Sequence, residues 1–240
     1  LGRDSLDGNG MRLDSTVRYC PSRLECPYAN AYWDGSQMVY GAGYAQADDV
    51  VAHELTHGVT QYSSNLFYYF QSGAINEGIS DVFGEFVDLT DGVGNDATSV
   101  RWKIGEDLPG GAIRDMKDPT VFGDPDSTQS SKYTADTSLQ DDGGVHTNSG
   151  VVNKTASLMT DGGTFNGQTV TGIGVQKAER IWYQASQLLT SGADFAALGD
   201  ALGQSCASLV GTASITSGDC AQVAATTAAT RLATPPVLAT

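Results

Sequence analysis

Short runs of branched and aromatic residues occupy the first 47 positions of this 240-residue chain, and apolar residues at wider spacing follow them. The runs at 17–19, Ala31–Trp33 and Met38–Tyr40 have the length and composition of β-strands. An Asp-Gly-Asn-Gly sequence at 7–10 is typical of a tight turn. The pattern therefore predicts a β-rich segment over residues 1–47.

After residue 47, apolar residues recur every three or four positions, which is the spacing of one helix face. Asp48 or Asp49 would cap the first helix. Residues 90–146 are rich in Gly, Asp, Pro and Ser, and we expect them to be mostly loop. A loop of this length is often functional. Further helices are predicted over about 75–89 and 149–161, from near Val175, and from Asp194.

Charge narrows the classes of function. The chain has 28 acidic and 13 basic residues, a formal net charge of -15, which excludes a nucleic-acid partner because phosphate binding needs a basic surface. No apolar stretch is long enough to span a bilayer, so we expect a secreted, soluble protein with no membrane partner. Some carboxylates would suit calcium, whereas most of them keep the surface solvated.

Four cysteines form two local pairs in the sequence, Cys20 with Cys26 and Cys206 with Cys220. Such pairs fit disulfides made in an oxidising compartment, which agrees with secretion. The alternative is a metal site, but the spacings are not those of zinc ribbons.

Two of the three histidines lie in the sequence His53-Glu54-Leu55-Thr56-His57, on the first predicted helix. Positions i and i+4 share one helical face, so both imidazoles reach one metal ion. Glu54 would take a proton from zinc-bound water without being a ligand itself. The alternative, a chance arrangement, is rare in a chain with so few histidines.

A catalytic zinc site has three protein ligands, so a third is expected on another element. Glu77 would supply it from the second predicted helix. Asp81, one turn further on, would accept a hydrogen bond from a zinc-bound histidine and fix that ring. Taken alone, Glu77 would be an exposed acid stabilised by the helix dipole, but the 53–57 motif favours a ligand.

The third histidine, His146, follows two glycines in the sequence Asp-Asp-Gly-Gly-Val-His-Thr-Asn-Ser-Gly at 141–150. The glycines allow this loop to approach a site closely, where the imidazole would hydrogen-bond an oxyanion. Asp141 would hold the ring in one tautomer. The alternative is a histidine on a surface loop.

Three segments together resemble the thermolysin-like zinc metallopeptidases: 53–61, His-Glu-Leu-Thr-His-Gly-Val-Thr-Gln; 73–77, Gly-Ala-Ile-Asn-Glu; and 143–150. They occur in the order found in that family, and the resemblance extends from about Asp4 to about Cys220.

The resemblance implies an α+β fold with the active site between two lobes. A remnant β-rich N-terminal lobe at 1–47 would precede a mainly α-helical C-terminal lobe at 48–230, and 231–240 would be a tail or linker. The family normally has a further β-rich segment before the position matching Leu1. We therefore expect that segment as a separate chain that partners this one, or a processed form of the protein.

The resemblance also implies a secreted zinc endopeptidase that cleaves peptides on the amino side of large hydrophobic residues. Tyr68 would join His146 in stabilising the oxyanion, and Arg114 would bind the substrate carbonyl after the scissile bond. The other implied substrate contacts are Asn30 and the Ala31 carbonyl on an edge strand, and an apolar pocket of Val50, Ile104, Leu108 and Ile113.

Acidic positions of the family's calcium site are occupied by Asp49, Asp88 and Glu106, and Glu85 would join them. Arg101 and Lys103 stand where the family often has acids, so we expect one calcium ion rather than two.

Two alternatives to an active protease are a catalytically silent thermolysin-like binding module and an inactive processed fragment. The presence of Glu54 beside all three zinc ligands favours activity. A serine hydrolase is disfavoured because the chain has no Gly-x-Ser-x-Gly sequence.

Overall fold

The computed structural model describes residues 1–95, 97–135 and 137–237. These residues form six α-helices and seven short strands, which confirms the predicted α+β class. Two compact units divide the chain: 2–63 with 80–114, and 1 with 64–79 and 115–240. The division falls inside one long helix, which contributes to both units.

A small sheet forms the N-terminal part of the first unit. Its strands are β1 (Ser15–Thr16), β2 (Ala31–Trp33) and β3 (Met38–Tyr40), with β3 in the centre, parallel to β1 and antiparallel to β2. The predicted strands at 31–33 and 38–40 are confirmed. The strand predicted at 17–19 is wrong, because β1 ends at Thr16 and Arg18 has a positive φ of 56° that interrupts extended backbone.

The helix α1 (Asp48–Gln61) packs on this sheet in the same unit. Ala47, not Asp48 or Asp49, is its N-cap; both acids lie in the first turn, where the helix dipole favours negative charge. Two further strands, β4 (Lys103–Ile104) and β5 (Arg114–Asp115), pair with each other. The buried core of this region consists of Leu6, Ala31, Met38, Tyr40, Ala47, Val50 and Leu108.

The helix α2 (Phe70–Asp91) begins earlier than the predicted residue 75. Its glycines are sites of close approach rather than of flexibility. A Cβ atom at Gly78 would lie 2.3 Å from Cβ of Val152, and one at Gly84 would lie 2.7 Å from the Asp49 carbonyl oxygen. These contacts fix the position of the helix segment that carries Glu77.

The second unit is mainly helical. It contains α3 (Asp141–Asp161), the hairpin β6 (Gly162–Phe165) and β7 (Gln168–Thr171), then α4 (Val175–Leu188), α5 (Phe195–Leu209) and α6 (Ser217–Thr230).

The predicted starts of α4 and α5 are confirmed, and Asp194 caps α5 by accepting a hydrogen bond from the Ala197 N–H. A disulfide between Cys206 and Cys220 joins α5 to α6, and Cys20 pairs with Cys26, so both predicted disulfides are confirmed.

The predicted domain bounds at 47 and 230 stay predictions. Within the predicted tail, the Val237 N–H donates to the Thr128 carbonyl, and residues 238–240 lie outside the described residues. None of the described helices combines the length and the apolar character that crossing a bilayer requires.

Candidate metal centre and active site

Two imidazoles converge on one face of α1. The Nε2 atoms of His53 and His57 lie 3.0 Å apart, with the rings nearly perpendicular. This is the geometry expected of residues one helical turn apart. Glu54, next to His53 on the same helix, is also buried. It lies near Tyr40, whose hydroxyl pKa is raised mainly by the burial of Tyr40 and further by the charge of Glu54.

The outer nitrogen of each ring is held by a residue of α2. Nδ1 of His53 lies 2.8 Å from Oδ1 of Asp81, and Nδ1 of His57 lies 3.2 Å from Oγ of Ser80. Burial opposes ionisation of Asp81, but the charge of Arg114 and the His53 hydrogen bond outweigh it and hold the pKa of Asp81 well below its usual range. The ionised carboxylate accepts from Nδ1–H, which leaves Nε2 of His53 with its lone pair for a metal.

Glu77 completes a set of metal-binding side chains. Among the described residues, ligand atoms of His53, His57 and Glu77 all lie within 4.8 Å of one another. Two neutral imidazole nitrogens and one carboxylate form a donor set that fits zinc. The three residues predicted as ligands therefore lie together, and the second-shell partner Asp81 is on the same helix as Glu77, one turn away.

Arg114 is also held by Asp81. Its Nε and one terminal nitrogen donate to the two carboxylate oxygens at 2.7 and 2.6 Å, a bidentate pair that fixes the plane of the guanidinium group. The structure thus gives Asp81 two partners where the sequence predicted one. A contact of Arg114 with a substrate carbonyl stays a prediction.

Tyr68 and His146 form a second group of polar side chains. The Tyr68 hydroxyl lies 3.2 Å from Nε2 of His146 and donates to Oε1 of Glu77. Nδ1 of His146 lies 2.5 Å from Oδ1 of Asp141, whose other oxygen accepts from the backbone N–H of His146 at 3.0 Å. The predicted pairing of Asp141 with the His146 ring is thus present in the geometry.

A short left-handed turn carries Asp141. Four consecutive residues have positive φ: Asp141, Asp142, Gly143 and Gly144, with values of 52°, 49°, 87° and 84°. The regular part of α3 follows them, so 141–146 is not the plain loop that the sequence predicted. A Cβ at Gly143 would lie 2.3 Å from the ring of Phe70, so glycine is required there for space as well as for conformation.

Sequence reasoning missed two residues of this site. Ser80, the hydrogen-bond partner of His57, follows Glu77 by three positions, and nothing in the sequence distinguishes it from other serines in helices. Phe70 packs against the left-handed turn and itself has a φ of 54°, which is rare for a bulky residue and marks a constrained position. The adjacent glycines were the only signal of that turn.

The predicted substrate strand β2 lies at the edge of its sheet. At one end of β2 the Asn30 carbonyl accepts a hydrogen bond from the Gly41 N–H, so the backbone of Asn30 faces β3. At the other end the Asp34 N–H donates to the Gln37 carbonyl. Backbone groups alternate along a strand, so those of Ala31 face away from β3. The Asn30 side chain is exposed, with its Nδ2 3.4 Å from the Tyr28 hydroxyl.

The four residues predicted to line an apolar pocket differ in burial. Val50, Ile104 and Leu108 are buried, whereas Ile113 is exposed. Leu108 and Ile113 both flank Gly105, since a Cβ there would lie 2.6 and 3.3 Å from their side chains. Their role as a pocket stays a prediction.

Four acidic side chains gather in the first unit near α1 and the C-terminal part of α2. Asp49, Glu85 and Asp88 are buried, and Glu106 is half-buried. Burial and the charges of neighbouring carboxylates raise the pKa of Glu85 to about 9, that of Glu106 to about 7 and that of Asp49 to about 6.

Backbone N–H groups from Trp102 and Gly105 offset part of this effect at Glu85 and Asp49. Three buried carboxylate oxygens, one of Glu85 and both of Glu106, have no hydrogen-bond partner within the described part of the chain. Hard oxygen donors in this arrangement fit a calcium ion.

Comparison with known proteins agrees with this geometry. The family model described as thermolysin metallopeptidase, catalytic domain, matches residues 1–61, and the one described as thermolysin metallopeptidase, alpha-helical domain, matches residues 64–228. The chain belongs to the thermolysin metallopeptidase family. The resemblance inferred from the three sequence motifs is thereby confirmed, and members of this family use zinc.

Relatives within the thermolysin family are similar over most of this chain. A zinc metalloproteinase of Renibacterium salmoninarum is 47% identical over 234 residues, covering 93% of this chain and 42% of the relative. A bacillolysin of Bacillus cereus is 47% identical over 198 residues, covering 78% of this chain and 32% of the relative. The chain thus spans less than half the length of these relatives.

Among solved structures, the precursor of protealysin, a metalloproteinase from Serratia proteamaculans, has the thermolysin-family fold seen here. The match has a TM-score of 0.72 and 29% sequence identity, and it covers 96% of this chain and 72% of the other.

Proposed function

We propose that this chain is a zinc-dependent endopeptidase that is secreted and cleaves peptide bonds on the amino side of large hydrophobic residues. The convergence of His53, His57 and Glu77 is the observation that carries the proposal, because three ligands leave a position open for water or substrate. Bound zinc would lower the pKa of a coordinated water and polarise the scissile carbonyl.

The side chains around the metal ligands would carry the proton transfers and hold the substrate. Glu54 would accept a proton from the attacking water and pass it to the leaving nitrogen. Asp141, 2.5 Å from Nδ1 of His146, would hold the ring in place, so that the imidazole and the Tyr68 hydroxyl would together stabilise the oxyanion. The outward-facing backbone of Ala31 would bind an extended substrate as an added strand.

A conservative substitution of the base tests this function. Glu54→Gln keeps the size of the side chain but cannot take a proton, so we expect zinc content to stay at one ion per chain in elemental analysis. Cleavage of a quenched peptide with leucine after the scissile bond should fall by about 10²–10⁴-fold. Glu179→Gln, on α4, is the matched control and should cleave at the parental rate.

The results separate the proposal from its alternatives. A Glu54→Gln protein that cleaves as fast as the parent would sink the role of this residue. A parent chain that binds zinc but cleaves nothing would be a silent binding module. Sequencing the peptides released from denatured casein tests the specificity, because their new N-termini should be leucine, isoleucine, phenylalanine or similar residues.

We also propose that one calcium ion is held by Asp49, Glu85, Asp88 and Glu106. The support for this site is the close packing of these carboxylates, three of which, Asp49, Glu85 and Glu106, have pKa values raised by burial and by neighbouring carboxylates. Secretion is supported by the two disulfides, which form in oxidising compartments.

A further inference from the structure

Two leucines differ from every other large apolar side chain in their exposure. Among the described residues, Leu139 is 99% exposed and Leu24 is 97% exposed, whereas the next, Val121, is 68% exposed. A fully exposed leucine in a protease of the proposed specificity is a substrate residue on the enzyme's own surface. Such a residue loses no packing when it enters the pocket of another molecule.

The backbone directly after Leu139 is already extended. The residue lies outside the helices and strands, just before α3. Gln140, which follows it, is already extended, with φ of -85° and ψ of 143°. A substrate must be extended over several residues to pair with an edge strand. Gln140 already is, whereas the Ser138 N–H donates to the Ala135 carbonyl at 2.9 Å and Asp141 has a positive φ of 52°, so these two turns open when the segment binds.

Leu24 is equally exposed but lies in a closed ring. The disulfide between Cys20 and Cys26 spans it, and the N–H of Glu25 donates to the Ser22 carbonyl to form a turn. A ring of this size prevents the flanking residues from extending together. The covalent ring therefore keeps Leu24 from extending, whereas only hydrogen bonds hold the backbone around Leu139.

We propose that the Ser138–Leu139 peptide bond is the preferred site at which one molecule cleaves another copy of this chain, and that the cut lowers activity. The inference rests on the proposed endopeptidase function. In the reaction, the water oxygen bonds to the Ser138 carbonyl carbon and the bond to the Leu139 nitrogen breaks. The nitrogen takes a proton, and the products are a Ser138 carboxylate and a Leu139 amine.

The loss of activity follows from the position of the cut, two residues before Asp141. The Gln140 carbonyl accepts the N–H groups of Gly143 and Gly144, at 3.1 and 3.3 Å, and so closes the left-handed turn. A new chain end at Leu139 frays, as free ends do, and releases that carbonyl. Asp141 then no longer holds His146 in one place.

The experiment follows wild-type protein during storage and records both fragments and activity. Intact-mass measurement under denaturing conditions should show fragments 1–138 and 139–240 before any others. Activity on a quenched peptide should fall in proportion to the fraction cut. Leu139→Asp should abolish this cut, because a charged residue does not fit an apolar pocket, while Leu24→Asp should leave it unchanged.

A second arm uses the Glu54→Gln protein as the substrate for a trace of wild-type enzyme, and the same bond should be cut. If the wild type cleaves the quenched peptide but first cuts itself elsewhere, the inference is wrong and the proposed function stands. If cut protein keeps full activity, the loss-of-activity part is wrong. A chain that cleaves neither peptide nor itself overturns both proposals.

Discussion

Oδ1 of Asp81 lies 2.8 Å from Nδ1 of His53, on the side of the ring opposite the Nε2 atom that faces His57. The same carboxylate binds Arg114 through two hydrogen bonds. One buried acid thus orients both the metal-binding His53 and the guanidinium group of Arg114. The two contacts are distinct, so substitution can separate them.

Asp81→Asn should weaken zinc binding by about 10–100-fold, because an amide holds the His53 ring less firmly and no longer raises its basicity. Competition with a chromogenic chelator measures this change. Arg114→Lys is the comparison: it keeps a cation beside Asp81, so zinc affinity should stay near that of the parent, while KM for a peptide substrate should rise because the planar guanidinium is lost. Equal zinc affinity in Asp81→Asn and the parent would contradict this role.

The Tyr68 hydroxyl lies beside His146, so its removal tests oxyanion stabilisation. Tyr68→Phe should lower kcat by about 10²-fold with little change in KM, because the hydroxyl would act on charge that develops only in the transition state. Steady-state kinetics on a quenched peptide measure both constants. Tyr69→Phe, one residue on, should behave as the parent; a similar loss in both variants would argue against a specific role for Tyr68.

The acidic cluster predicts a stability that depends on both pH and calcium. The folded-state pKa values of Glu85 and Glu106, about 9 and about 7, are raised above their ordinary value of 4.5. Between the ordinary and the raised values the folded chain binds more protons than the unfolded one. Without calcium, the free energy of unfolding should therefore fall as pH rises through this range.

Calcium should reverse that trend, because it binds the ionised carboxylates. The rise in Tm on adding calcium chloride to the Glu54→Gln protein, which cannot digest itself, should be larger at about pH 8 than at about pH 6. Glu85→Gln in the same background should lose this response and be no less stable than the parent without calcium. Magnesium chloride is the control salt, and an equal effect of both salts would argue against a calcium site.

The close contact of α2 with α3 predicts opposite effects for two glycine substitutions. Gly78→Ala places a Cβ 2.3 Å from Val152, and overpacking of this kind lowers the free energy of unfolding by about 1–3 kcal/mol. Gly203→Ala, in α5, meets no atom within 4 Å and should raise it by about 0.5–1 kcal/mol. Urea unfolding measures both; a stabilised Gly78→Ala protein would show that the two helices are not tightly packed there.

Local patterns predicted much of the fold, but only where large apolar residues mark an element. The stripe led by Phe195 gave α5 its predicted start, whereas α6 has one buried large apolar residue, Val223, and its bounds were not predicted. What defines α6 is a capping box of Thr216 and Asp219 and its disulfide to α5. Caps and crosslinks stabilise a helix without producing a periodic pattern.

At the site, spacing along one helix predicted that His53 and His57 converge, because positions i and i+4 share one helical face, and Glu77 was expected from the three protein ligands of a catalytic zinc site. Contacts between distant segments did not follow from spacing. The pairing of Asp81 with Arg114 and the packing of Phe70 on Gly143 depend on tertiary structure. The positive φ of Phe70 is contrary to local preference, so no single-residue propensity indicates it.

The exposed edge of β2 has a consequence for inhibition. Folded sheets usually protect such edges, but one that receives a substrate must stay open. Because main-chain pairing is independent of side chains, peptides already released by the enzyme would occupy the same edge and slow further turnover. If β2 binds peptides as proposed, a peptide methylated at the amide that would pair with the Ala31 carbonyl should lose that competition, which would separate binding through the backbone from binding through the proposed pocket.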